Sequence, residues 1–344
     1  MIKKLFRSSF IIIFIYTCVA LVFLTYVQAS KLKSYENGNG ELKNVKIITK
    51  YNDSIVKIED KNNNNLNNFI KCYQRKEDTS NFSFDLKNKI NEIQNYFSNS
   101  NSMASFSYED LYSGFYMSFN ENREYFTAST IKSPVVTYIY DLYANNQINL
   151  NEYMIYDYAY YLEGSGNIQY QPVGTSYTLQ ELMDKSITIS DNIAYQMLAT
   201  RVYNTDIINY WRNLGATTFW SQSMWGVSTT KDNVIYMKQL YNLNRKYPEK
   251  TIDLMNYHFN SIANFINLPN KDIKIAHKSG WNYANVHDMA IIYNKQPYVL
   301  AINTLKGFED YTSFYNKATE LINSFHELYW KEKADICYNE SFNY

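Results

Sequence analysis

A chain of 344 residues with 46% hydrophobic content can bury one large core or two small ones, with appendages. Its 33 Lys and Arg balance 33 Asp and Glu, so no excess positive surface is available to hold nucleic acid or to take an acidic membrane surface as the main ligand. The 35 Tyr do not change this, because base-stacking platforms need interleaved basic residues that the chain lacks.

Lys3, Lys4 and Arg7 precede an apolar run from Phe10 to Val27, and Val27-Gln-Ala29 offers a small-residue cleavage site. Residues 1–29 therefore read as a targeting segment, and the charges at its start send the remaining chain outward. The run fits a cleaved signal peptide or a retained membrane anchor, with the product extracellular or held on the membrane. Cys18 inside it reads as an apolar filler. Residues 30–82 are rich in Asn, Lys and Gly, include the Asn62 to Asn65 run, and read as a flexible tether. Within them Val45 to Thr49 and Ile55 to Ile58 alternate enough for a hairpin.

A folded domain is expected over residues 83–335. It opens with a helix from about Phe84 to Ser98, capped by Ser83, with Leu86, Ile90, Ile93 and Phe97 on one face. Two strands follow, Met103 to Tyr108 and Phe115 to Phe119, turned by Gly114. A helical block then runs from Ile131 to Tyr247, with Val135, Ile139 and Leu142 on one helix, Ile193, Met197 and Leu198 on another, and Val234, Met237 and Leu240 on a third. Three strands come next, Ile273 to Trp281, Val286 to Tyr293 and Tyr298 to Leu305, the last two joined by a turn at Asn294-Lys-Gln-Pro297. A long helix from about Tyr311 to Lys333 closes the domain, leaving residues 336–344 as a tail. Strands divided by a helical insertion imply an α/β (α+β) fold: one antiparallel five-stranded sheet flanked by the terminal helices, plus a mostly helical lobe.

Three short runs carry the chemistry, in this order: Ser129-Thr-Ile-Lys132, Ser190-Asp191-Asn192 and Lys278-Ser279-Gly280. Ser-x-x-Lys sets a hydroxyl and an ammonium one helical turn apart on one face, so the amine can take the proton that makes the serine nucleophilic. The pattern also begins at Ser30, Ser54 and Ser228. Only Ser129 follows a strand-like stretch, precedes an apolar helix and has both other runs downstream. Ser129 alone at a helix start could be a mere cap, and Ser190-Asp191-Asn192 opens a helix and could be one too.

Taken together the runs resemble the signature set of the penicillin-recognising serine enzymes, the class A β-lactamases and penicillin-binding proteins, with Ser279 where the third signature has threonine. The resemblance extends through the Phe126-Thr-Ala lead-in, Gly164-Ser-Gly166, Tyr177-Thr-Leu-Gln-Glu-Leu182 and His277, covering about residues 84 to 333. It implies a β-lactamase-like fold with the active site between lobes. Ser129 is then the nucleophile, Lys132 its base beside Lys278, Ser190 the proton shuttle to the leaving nitrogen, and Asn192 a partner for the substrate amide and for Lys132. Lys278 and Ser279 take the substrate carboxylate, Gly280 lets substrate lie against the backbone, and the N–H groups of Ser129 and Trp281 form the oxyanion hole. Tyr161, Trp281 and Tyr283 could line the cleft, and His287-Asp288, inside a strand, reads as scaffold. The first and last helices of that fold pack side by side, so Cys72 and Cys337 could pair, or remain two free thiols.

One departure matters. Class A β-lactamases carry, in the interval after Asn192, a loop whose glutamate activates the hydrolytic water, and here no Glu occurs from Leu182 through Pro248. Acylation groups are present while the usual deacylation base is missing. Three readings follow: a β-lactam-opening serine hydrolase with slow turnover, a D,D-peptidase acting on cell-wall peptides, or a membrane-tethered sensor of β-lactam or muropeptide. Neither a metal cluster nor a nucleotide loop appears in the sequence, no cofactor is expected, and a monomer is.

Overall fold

The computed structural model describes residues 46–48, 57–59, 63–76, 78–100, 104–221, 223–305 and 311–342. The targeting segment, residues 1–29, lies outside them. Among the described residues no helix is long and apolar enough to cross a membrane.

The chain divides into two compact units, the smaller taking residues up to Arg75, Asn294–Gln296 and Lys333 onward, the larger Lys76–Tyr293 and Pro297–Glu332. In the smaller unit β1 (Lys46–Ile48) pairs antiparallel with β2 (Lys57–Glu59), so the alternating pattern does make a hairpin. Helix α1 (Asn63–Gln74) follows inside the stretch that its composition marks as tether. The reason is local: Phe69 and Cys72 fall one turn apart and bury with Cys337, to which Cys72 is joined by a disulfide. An average over a polar stretch hides one short apolar face.

The larger unit begins with α2 (Phe84–Asn99), whose N-cap Ser83 Oγ accepts from the Leu86 N–H at 3.1 Å. Strands β3 (Ser105–Asp110) and β4 (Tyr116–Phe119) follow, the turn between them using Gly114 at a φ of +69°. After the short strand β5 (Tyr125–Phe126) come α3 (Lys132–Ala144), the ribbon strands β6 (Tyr153–Ile155) and β7 (Ser176–Thr178), and helices α4 (Leu179–Thr188), α5 (Asn192–Val202) and α6 (Thr205–Asn213). Strand β8 (Val227–Ser228) pairs back onto β5 and leads into α7 (Thr230–Lys246) and α8 (Ile252–Phe259). The chain returns to the sheet as β9 (Lys274–Trp281), β10 (Asn285–Tyr293) and β11 (Tyr298–Leu305), then ends in α9 (Tyr311–Phe342). This last helix runs beyond the expected Lys333 stop, through most of the expected tail, because Cys337 at its far end is buried.

The sheet has five antiparallel strands in the order β4-β3-β11-β10-β9, as expected. Its central strands are buried on both faces, which is why they read as nearly continuous apolar runs. Alternation along β3 sends Phe106 and Tyr108 to one face, where they meet Phe97 of α2 and Phe325 of α9. Ser107 points the other way and donates to Thr230 Oγ1 at 2.9 Å, fixing the start of α7 on the opposite face. Between α7 and the helical lobe lies α3, in which Lys132 through Tyr140 are all buried; a helix sealed on every side holds its first turn rigidly.

Candidate active site

Strand β5 leaves the small ribbon at Phe126 and passes into a tight turn, Ala128–Ile131, that runs straight into α3. Pro134 stands as the third residue of α3, where its missing N–H interrupts no helical bond. Ala128 is held at a φ of +46°, a costly conformation for a residue with a Cβ, and such strain persists only where neighbours impose it. Here the Thr127 N–H donates to the Gly226 carbonyl at 3.2 Å and the Thr127 hydroxyl to the Trp225 carbonyl. Ser129 next door is half-buried while Ala128 and Thr130 are sealed, so of the three only Ser129 keeps access to solvent.

Lys132 is fully buried. Its Nζ lies 3.0 Å from Ser129 Oγ, 2.8 Å from Asn192 Oδ1, 2.6 Å from the Ser190 carbonyl and 3.2 Å from Ser190 Oγ. No carboxylate joins this set, so burial first and the charge of Lys278 second hold its ammonium well below the ordinary value, with Asp191 opposing. Lys278, also buried, reaches Ser190 Oγ at 3.1 Å, and burial pushes its pKa down to about 7 against the pull of Asp288. One hydroxyl, that of Ser190, thus stands between two amines that are 146 residues apart in sequence (278 − 132).

Ser190 carries a φ of +56°, and Asp191 explains how that turn is held. Its Oδ1 accepts from the Ile193 and Ala194 N–H groups, capping α5, and its Oδ2 accepts from Asn167 and Ile168. A carboxylate with four backbone donors is a brace. Gly164-Ser-Gly166 packs on this turn so closely that a Cβ on Gly166 would lie 2.2 Å from the Asp191 carboxyl, and one on Gly164 2.9 Å from Asn192 Nδ2.

On the sheet side, Lys278 and Gly280 share one face of the edge strand β9. A Cβ on Gly280 would sit 2.5 Å from the Ser129 backbone nitrogen, so only glycine lets the strand lie against the Ser129 turn. On the other face the Ser279 hydroxyl donates to the Ile262 carbonyl at 3.1 Å, and His277 bonds Asp288 and the Ser261 carbonyl. Trp281 is 44% exposed at the strand's end. Tyr161 stacks on Tyr158 at the surface and Tyr283 projects into solvent. His287 is scaffold: it accepts from the Thr304 N–H and donates to the Phe126 carbonyl, and Asp288 takes the Phe265 and Ile266 N–H groups.

Sequence reasoning missed Trp225. Its ring centroid lies 5.4 Å from Lys132 Nζ, so the segment that precedes β8 brings an indole to the site. It also missed His258, whose Nε2 accepts from Ser133 Oγ at 2.8 Å beside Lys132; burial drops its pKa to about 3, keeping it neutral. Neither sits in a run with fixed spacing, so only an aromatic just ahead of β8 could have drawn attention.

Sheet, helical lobe and cluster together have the form of a serine hydrolase. Residues 85–330 match the β-lactamase enzyme family, and the chain belongs to that family. No curated protein matches it. Among solved structures, a PBP-A mutant in acyl-enzyme complex with penicillin G superposes with a TM-score of 0.63 at 21% identity, covering 70% of this chain and 97% of that one. A β-lactamase from Sphaerobacter thermophilus gives 0.62 at 18%, covering 70% and 98%. The TLA-1 extended spectrum β-lactamase gives 0.62 at 15%, covering 70% and 99%. At these identities the likeness is one of fold.

Proposed function

We propose that the protein is an exported serine hydrolase that opens β-lactam or related acyl amide bonds through a Ser129 acyl-enzyme, and that it releases the acyl group slowly. The observation that carries the reading is Lys132 Nζ, buried, unpaired with any carboxylate and 3.0 Å from Ser129 Oγ. A lysine whose charged form is disfavoured is a competent base. It removes the Ser129 proton as Oγ adds to the substrate carbonyl carbon. The resulting oxyanion faces the Ser129 and Trp281 N–H groups, which the close approach at Gly280 supports. Ser190 Oγ then gives its proton to the leaving nitrogen and is reprotonated from the lysines on either side. Lys278 supplies the positive field for a substrate carboxylate and Asn192 a side-chain amide for the substrate's own.

Slow release rests on what surrounds the cluster. Among the described residues no carboxylate hydrogen-bonds Ser129, Lys132 or Ser190, and Asp191, whose charge acts on Lys132, has both oxygens filled by backbone donors. The same lack favours a second reading, a D,D-peptidase on cell-wall peptides, in which the acyl group is a peptide rather than an opened lactam. The membrane enters through residues 1–29 if they are retained, and the catalytic domain works outside. Stopped-flow mixing of the protein with a chromogenic cephalosporin tests the claim. The expected trace is a burst of one product per protein molecule followed by a far slower steady rate. Fast turnover without a burst contradicts slow release, and no reaction with either a cephalosporin or a D-Ala-D-Ala peptide contradicts the reading as a whole.

A further inference from the structure

We propose that Trp225 is a positioning residue that walls bulk water away from the Lys132 side of the Ser129 acyl-enzyme and so prolongs its life. This rests on the acyl-enzyme reading and names the residue responsible for slow release. Releasing the acyl group needs a water whose oxygen adds to the ester carbonyl carbon while a base takes its proton; the bond from that carbon to Oγ then breaks and the proton ends on Ser129 Oγ. Lys132 is the base in reach, so a productive water must lie between its Nζ and the ester.

The space around Nζ is divided among Ser129 Oγ, Asn192 Oδ1 and the Ser190 carbonyl and hydroxyl on one side, and the Trp225 indole on another, its centroid 5.4 Å away. An aromatic face gives water no hydrogen bond of ordinary strength, so the wall is dry as well as solid. The wall is also fixed. The Tyr195 ring meets the indole edge-on at 4.6 Å and 63°, and the Tyr195 hydroxyl donates to the Met224 carbonyl. The Ser223 hydroxyl accepts from the Trp225 and Gly226 N–H groups, and the Trp225 and Gly226 carbonyls are held by Thr127, two residues before the nucleophile. From Leu214 to Gly226 the sequence contains no acidic residue, so this segment offers the site an indole and no proton acceptor for water.

The test compares the full chain with Trp225→Ala and Trp225→Phe. Each is labelled with benzylpenicillin, freed of excess, and followed by intact mass for formation and loss of the adduct. The wall predicts that Trp225→Ala raises the ratio of release rate to acylation rate by about tenfold or more, with Trp225→Phe between it and the parent. A loosened fold would lower both rates and leave that ratio unmoved. An unchanged or lower ratio in both variants overturns the role of Trp225 while leaving the acyl-enzyme intact. Absence of any adduct on the parent overturns the acyl-enzyme reading, and the wall with it.

Discussion

Two buried ammonium groups that share the Ser190 hydroxyl make the site sensitive to proton concentration in a way that can be worked out from the direction of each shift. Acylation needs Lys132 neutral, so its rate rises with pH through that group's depressed pKa. Attraction of a substrate carboxylate needs Lys278 charged, and this is lost as pH rises past about 7. The acylation rate for benzylpenicillin should therefore pass through a maximum, rising as Lys132 loses its proton and falling as Lys278 loses its own, and a substrate lacking a carboxylate should lose the falling limb. A falling limb that is identical for both substrates contradicts the assignment of Lys278 as the anion's partner.

At the scale of elements, function depends on two backbones lying closer than side chains normally permit. Gly280 lets β9 approach the turn that carries Ser129, and a methyl there would stand 2.5 Å from a backbone nitrogen that cannot swing aside. Gly280→Ala should cut the acylation rate by about a hundredfold or more, the scale of losing one oxyanion donor, while circular dichroism shows the fold retained. Near-normal acylation would place the oxyanion site elsewhere. The same scale shows what was legible in the sequence. The five strands and their helical insertion were, because central strands buried on both faces leave long apolar runs, and so was the meeting of Ser129, Lys132, Ser190 and Lys278, because each sits in a short run whose residue types stand out. The 3₁₀ turns, the paired ribbons β5–β8 and β6–β7 and the indole of Trp225 were not: the strands of these ribbons are two or three residues long and lie about 100 and 20 residues apart in sequence, without the flanking alternation that marks β1 and β2, and Trp225 reaches Lys132 through tertiary contacts 93 residues apart in sequence (225 − 132). The hydrogen bond from the Ser279 hydroxyl to the Ile262 carbonyl was not legible either, because it joins residues 17 apart across an irregular loop.

For the whole molecule, acid and reduction are the two stresses that the structure singles out. His258 and His287 are buried and neutral, with pKa values near 3 and 4 against an ordinary 6.5. Unfolding exposes them to protonation, so below about 6.5 the unfolded state binds more protons and stability falls as pH falls toward those values. Lys278 works in the same direction higher up: between about 7 and 10.5 the unfolded chain holds the extra proton, so its contribution grows as pH rises. Urea midpoints should accordingly drop from pH 7.5 to pH 5, and a flat profile would mean that the histidines are solvated. The Cys72–Cys337 bridge spans 265 residues of chain, and its loss should destabilise the smaller unit by about 2–4 kcal/mol, mainly by freeing the unfolded state. Cys72→Ser, followed by thermal unfolding and by proteolysis within α1, measures this. An unchanged melting profile would mean that the helix is held by Phe69 packing alone.

The central claim is that Ser129, activated by Lys132, takes up the acyl group. Its most direct test is peptide mapping by mass spectrometry after brief exposure of the parent chain and of Ser129→Ala to benzylpenicillin. The account predicts a single adduct on the peptide containing Ser129 in the parent and none in the variant. An adduct that persists in Ser129→Ala, or that maps to a different serine in the parent, contradicts it.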